Sequence, residues 1–368
     1  MKKTALLLKY LLFIGGPYLN GLGASHANSI ITITTCEQLQ SIGHSEFFPL
    51  YGYYILTNDI DCISVYDFDP IGGGENGMFS GVLDGAGFEI HNYNSSRNGL
   101  FAETLGAQIK NIGISGVVNN PHSGNIGLLA GKSNATIISN SYATGNVTWG
   151  SNSRVVGGMV GYLNYGSELR NSYSKVNVSG EKAVGGLVGT LFDNSKIVNS
   201  YSNSVVVGGT HEIGGLVGLV GEYRGNKSEV IGSYSTGTVT VSYPQFSYLH
   251  SADTGGLVGK LKGKSRIANS YAISDVNSLI SSIKGVGGLV GHVDEESIVT
   301  NSYRYEHQVC DGCDNILGLE VKRSDMYSSL WYREVLRFSD INWIIDSAVN
   351  RSHHPYLTNF KGYSPLLP

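Results

Sequence analysis

The chain has 368 residues, 50 of them glycine and only 8 proline, with 41% hydrophobic side chains and a formal net charge of −4. This apolar content excludes a disordered chain, and an acidic balance without clustered Lys and Arg argues against a nucleic-acid partner. Length alone would allow two domains, but internal repetition overrides length.

Residues 1–27 read as an export signal. Lys2 and Lys3 give a positive start, Thr4 to Ile14 is apolar, and Ala24, Ser25, His26 and Ala27 place small residues at the cleavage positions. The apolar stretch is short, contains Lys9 and meets Gly15, Gly16 and Pro17, so cleavage is expected rather than anchoring. No later segment approaches spanning length. The expected setting is secreted, extracellular or bound at a bacterial cell surface.

Residues 28–78 are expected to form an N-terminal cap. It contains Cys36 and Cys62, and a second pair, Cys310 and Cys313, forms a CDGC near the other end. An oxidising compartment favours two local bridges among the three pairings that four cysteines allow. A redox Cys-x-x-Cys would open a helix in a βαβ context, and zinc would need a second pair nearby; neither is present. Asp59, Asp61, Asp67 and Asp69 are the densest acidic group. Clustered carboxylates suit Ca²⁺, the one cofactor suggested here, while the plainer reading has these acids start turns and cap the first coil. Gly72, Gly74 and Gly77 fit G-x-G-x-x-G, yet no helix follows and the stretch reads as a loop.

Residues 79–305 are repetitive. GGLVG or a close variant starts at Gly157, Gly185, Gly214, Gly255 and Gly287, with degenerate copies at Gly99 and Gly127. Asn-Ser-Tyr follows at Asn140, Asn171, Asn199, Asn269 and Asn301, with Gly232-Ser233-Tyr234 as a variant. A valine stands five places after the tyrosine at Val147, Val178, Val206, Val239 and Val276, and Gln308 breaks the rule in the last unit. Short apolar stretches separated by Gly, Asn and Ser are strands, not 3.6-period helices. The expected fold is all-β: a right-handed parallel β-helix (β-solenoid) of about seven to eight three-stranded coils, with Leu on Leu, Ile on Ile and Val on Val. Residues 306–368 form a small C-terminal cap, in which Ser324–Phe338 predicts an amphipathic helix capped by Ser324 and lying across the last coil.

GGLVG followed by Ile-x-Asn-Ser-Tyr resembles the GLUG repeat of secreted and surface-attached bacterial proteins, over roughly Phe79 to Tyr303. Tyr53 to Asp61, Pro70 to Gly72 and Phe79 to Gly85 resemble the opening coils of such solenoids, and Trp343 to Asp346 with Pro355 to Leu357 their closing segment. The resemblance implies a β-helix in an envelope or extracellular setting. It brings no ligand and no catalytic residue.

The tyrosine column, from Tyr142 to Tyr303, invites a sugar-stacking reading; a ladder sealing one corner is preferred because its position is locked to the Asn turn. Irregular lengths concentrate between the valine and the next GGLVG, where Trp149, Tyr243, Phe246, Tyr248 and His250 would line one edge. The expected function is an adhesin-like binding protein, not an enzyme, that recognises a protein or glycan at a cell surface, as a monomer or within a surface assembly. The alternatives are a polysaccharide lyase or hydrolase using the cap acids with Asp84, and a purely structural envelope protein.

Overall fold

The computed structural model describes residues 30–74, 77–121, 124–149, 155–221, 226–242, 251–279, 284–345 and 354–358; the export-signal reading falls outside them. Among these residues the chain winds into a parallel β-helix with three faces, a ten-stranded, a seven-stranded and a fifteen-stranded sheet. One coil runs from Val188–Leu191 on the seven-stranded face to Lys196–Val198 on the ten-stranded face. It then follows Tyr201–Gly214 on the fifteen-stranded face, and Val217–Val220 starts the next coil.

Register confirms the stacking. Ile138, Leu169, Ile197, Val230, Ile267 and Val299 are successive partners, as are Val147, Val178, Val206, Val239 and Val276. The GGLVG leucines bond directly: Leu187 N–H donates to Leu216 O, Leu216 to Leu257 and Leu257 to Leu289, each at 2.9 Å. Nearly all these side chains are fully buried, so the interior is a set of aliphatic columns. Strand side chains alternate between faces, and a one-residue slip would turn every column outward. Outward-facing Glu168, Lys196, Glu229 and Arg266 also stack with alternating charge, Lys196 Nζ lying 3.1 Å from Glu229 Oε2. The Lys196 side chain is half-exposed and Glu229 largely buried, and such ladders disfavour a shifted register, which would set like charges opposite.

The GGLVG glycines serve close approach. A Cβ on Gly214 would lie 2.0 Å from Val217 O, and one on Gly259 would lie 2.4 Å from Ile213 N. Backbone crosses backbone at this corner, and only hydrogen fits.

Parallel pairing extends into both flanks. Ile30–Ile33 pairs with Tyr53–Leu56, which pairs with Val82–Asp84. Between the first two strands lies α1 (Cys36–Gln40), capped by Thr35 Oγ1 accepting from Gln38 N–H at 3.3 Å. The Cys36–Cys62 bridge fastens α1 to the stack, and Cys310–Cys313 is the second bridge. The valine column does not end on Gln308. Cys310 takes the next place as the partner of Val276, while Gln308 Nε2 donates to Gly288 O at 2.8 Å and to Ser274 O.

The C-terminal segment departs from expectation. In place of one helix capped by Ser324 there are two short pieces, α2 (Arg323–Met326), with Lys322 at its N-cap, and a π-turn at Trp331–Val335. Buried Trp331 and Leu336 are five residues apart, a π-helical spacing closed by Leu336 N–H to Trp331 O at 3.0 Å. The segment does not simply lie across the last coil; it doubles back along the tyrosine column.

Candidate functional site

The repeated Asn-Ser-Tyr builds one corner of the rod, each residue in its own way. Asn111, Asn140, Asn171, Asn199, Asn269 and Asn301 all have left-handed backbones, φ 45–54°, which Asn tolerates better than other residues with a Cβ; Gly232 holds the same place at φ 58°. Their amides bond along the stack, Asn140 to Asn111 at 3.1 Å and Asn301 to Asn269 at 2.8 Å. The serines point inward. Each Oγ donates to the carbonyl two residues earlier, as Ser200 does to Val198 O at 2.8 Å, and accepts the N–H of the serine one coil before. This buried serine ladder had a sequence signal, invariable spacing, but small polar residues read equally well as turn formers.

The tyrosines point outward and stack. Tyr142, Tyr173, Tyr201, Tyr234 and Tyr271 have adjacent ring centroids 4.8–5.1 Å apart and planes within 12°. The C-terminal segment clasps this column. Trp343 packs on Tyr201 and Tyr234, Trp331 on Tyr271 and Tyr303, and the Tyr234 hydroxyl donates to Pro355 O at 2.6 Å. A second hydrophobic core results, outside the coils. Sugar stacking on Tyr201, Tyr234 and Tyr271 is thereby excluded in this state, since all three are buried. Tyr142, at the column's start, is half-buried and donates to Glu89 Oε2 at 2.8 Å.

Burial holds the Tyr234 and Tyr271 phenols well above their ordinary value of 10, with neighbouring tyrosines adding to the shift. Below pH 10 both folded and unfolded chains keep these protons and the stabilisation is fully present. Above it the unfolded chain releases protons that the fold retains, so stability falls as pH rises. The urea midpoint should therefore be flat from about pH 7 to 9 and decline above about 10, with phenolate absorbance appearing only on unfolding. Phenolate absorbance from these rings in the folded protein near pH 10 would contradict their burial.

The loop edge is fixed by what flanks it. Strands stop at Trp149, Val241 and Ser278, and the chain re-enters at Val155, Ser251 and Lys284. Both margins pair in parallel with neighbouring coils, with one register shift on re-entry between Ser251 and Thr254. Tyr243, Phe246, Tyr248 and His250 lie outside the described residues, and of Trp149 only the backbone is described, at the end of its strand. Two of the connections at this corner are continuous strand, not loop. After Val178 and Val206 the chain continues as strand, in Tyr173–Gly185 and Tyr201–Gly214, with a register shift between Gly180 and Lys182. Nine or ten residues suffice to turn this corner in extended backbone, so only the longer connections have chain to spare.

The acidic group is dispersed in hydrogen bonds to the next coil. Asp59 Oδ1 accepts from Glu89 N–H at 2.9 Å, Asp61 Oδ1 from Asn92 Nδ2 at 2.8 Å, and Asp67 from Ser96 N–H and Oγ at 2.7 and 2.8 Å. Asp69 pairs with Arg97. Among the described residues no three His, Cys, Asp or Glu side chains gather to hold a metal, so the alternative of a calcium cluster is not assembled. Asp84 accepts from Ala86 N–H at 2.9 Å and Asn111 Nδ2 at 3.0 Å, with Lys110 Nζ 3.1 Å away. Burial raises its pKa, but these donors outweigh burial and hold it below the usual value. It is an ionised turn former, unsuited to general-acid work near neutrality.

Besides a hollow of about 650 Å³ lined by Lys284, His292 and Asp314, among others, two further concavities lie near the ends. One, of about 200 Å³, has Ile42, Leu50 and Ala102 in its lining with His44, Asp69 and Arg97. Gln40 fixes it, donating to Asp69 O and accepting from Asp69 N–H, both at 2.9 Å. The other, of about 390 Å³, lies between the Asn turn and the clasp and is lined by Arg266, Asn269, Thr300, Asn301, Glu334 and Arg337, among others.

No family model matches the chain. A 139-residue stretch is 36% identical to halomucin from Haloquadratum walsbyi, covering 34% of this chain and 1% of that protein. Among solved structures, a candidate immunoglobulin A1 protease from Bacteroides ovatus aligns at TM-score 0.57 and 18% identity over 89% of this chain and 92% of that one. An IgA1 protease aligns at TM-score 0.59 and 16% identity, covering 88% of this chain, which spans 25% of that protein's length. At such identity the likeness is one of architecture: the chain has the parallel β-helix fold found in these proteins.

Proposed function

We propose that this is a secreted or cell-surface binding protein of the GLUG-repeat kind, which uses its rigid rod to present recognition loops along one edge. The observation that carries the reading is the margin at residues 149/155, 241/251 and 278/284, where connections of unequal length leave and rejoin coils that pair in parallel. Constant scaffold with variable loops at one place is the arrangement of a binding surface. Two bridged cysteine pairs agree with an oxidising setting, and among the described residues no helix is long and apolar enough to cross a membrane. The partner is a protein or glycan of the host, matrix or cell surface.

The test is removal of residues 243–250, which contain Tyr243, Phe246, Tyr248 and His250, with a Gly-Ser link in their place. The cut must stop before Ser251 and Ala252, which belong to strand Ser251–Gly255. Binding to immobilised matrix proteins and glycans should fall at least tenfold while β-rich circular dichroism is unchanged. Full binding by the shortened protein would remove the loops from the account.

A second reading draws on the named neighbours and on the His44, Asp69 and Arg97 concavity in the cap: a hydrolase acting on immunoglobulin or polysaccharide. Incubation with immunoglobulin A1 and with acidic polysaccharides, followed for product, separates it from binding alone.

A further inference from the structure

We propose that the cleft between the Asn turn and the C-terminal clasp is a binding site for an oxyanion of an acidic glycan, either a uronate carboxylate or a sulfate ester. The cleft, about 390 Å³, has the ten-stranded face on one side and the end of the π-turn with Arg337 just beyond it on the other. Arg266 and Arg337 contribute the positive charge, one from each wall. Among the described residues neither has a carboxylate within ion-pair distance, although Arg304 and Arg333 nearby are both paired with acids. Glu334 is the one acid in the lining, and it is not within ion-pair distance of either arginine. The lining is net cationic, with Glu229 on the strand beside Arg266 already paired to Lys196, on a chain whose overall charge is −4, so long-range attraction does not explain an anion there and local contacts must.

Three features indicate donors held ready. Arg266 Nη2 donates to Thr300 Oγ1 at 3.3 Å and its Nε–H is buried with no acceptor; Arg304 Nε shares that lack, but Arg304 has an acid at its Nη2, whereas among the described residues Arg266 has none. Arg337 has φ 57°, a left-handed backbone that Arg seldom adopts, and residues held in this way cluster at ligand sites. The asparagine column changes at this level too. Asn301 donates to Asn269 Oδ1 at 2.8 Å and to Val335 O, whereas the place below Asn269 is Gly232, which offers no side-chain acceptor to the Asn269 amide. Two guanidinium groups with planar donor forks, beside a primary amide, match a carboxylate or sulfate flanked by sugar hydroxyls. At about 390 Å³, the cleft falls within the ordinary range of volume for ligand pockets. It lies on the ten-stranded side, and its occupation does not depend on the loop edge.

Direct titration decides the matter, using the intact protein with oligogalacturonate, a heparin oligosaccharide and a neutral dextran oligosaccharide at low salt. Uronate or sulfated ligand should bind, weaken as salt is raised, and leave dextran unbound; the class that binds names the oxyanion. Arg266→Gln and Arg337→Gln should each lower affinity about tenfold or more. Arg337→Gly should lose binding equally while its denaturant midpoint stays level or rises, because glycine relieves the backbone. The variant lacking residues 243–250 should bind these oligosaccharides like the parent, which separates this site from the loop edge. Absence of binding to both acidic ligands, or affinity unaltered in the two glutamine variants, would overturn the proposal.

Discussion

Gly214→Ala should destabilise the rod by about 3 kcal/mol, the upper part of the usual range for overpacking, because nothing near the new methyl group can move aside. The Cβ would lie 2.0 Å from Val217 O and 2.8 Å from Gly259 N, both backbone atoms that are themselves locked between coils. Gly214 does not have positive φ, so the penalty is one of space and not of conformation. Gly124→Ala is the control: its Cβ would meet only Asn98 Oδ1, at 3.5 Å, and stability should change by less than about 0.5 kcal/mol. The measurement is amide exchange at Leu187, Leu216 and Leu257 together with the urea midpoint. A loss below about 1 kcal/mol for Gly214→Ala would show that the corner can open and that close approach does not explain GGLVG.

Trp343→Ala should release the clasp while leaving the coils intact. Trp343 is buried, stacks on Phe338 at 4.8 Å, touches Tyr201 and Tyr234, and anchors the antiparallel pairing with Leu357. Removing an indole from such a site costs about 3–5 kcal/mol. In a stack where each coil contacts its neighbours, that loss falls on the clasp. Amides from Met326 to Ile345 should exchange rapidly while those of Leu187 and Leu216 stay protected, and the uncovered Tyr234 should then ionise nearer pH 10. Coil and clasp amides exchanging together would show a single cooperative unit instead.

The sequence made the aliphatic columns legible because a coil repeats its side-chain directions and fixed spacing survives loop variation. The leucine, isoleucine and valine positions, the Asn turn and the sealed tyrosine ladder could all be read that way. Other features arise from contacts between distant parts of the chain, which spacing cannot reveal. Nothing in Ser324–Phe338 indicates that its aromatic face would meet Tyr271 and Tyr303 instead of crossing the end of the stack. Asp59, Asp61 and Asp67 look like a cluster along the chain, yet each reaches a different residue one coil later. Connection length alone does not distinguish a projecting loop from the continuous strand after Val178 and Val206.

Because each strand bonds to its counterparts one repeat earlier and later, a duplicated segment that begins and ends at equivalent Asn turns would splice in without turning any inward side chain outward. Growth by such units adds about 4.8 Å of height apiece and leaves the cross-section unchanged. Reach above a surface is then set by repeat number and chemical selectivity by the loops, so either can change without disturbing the other.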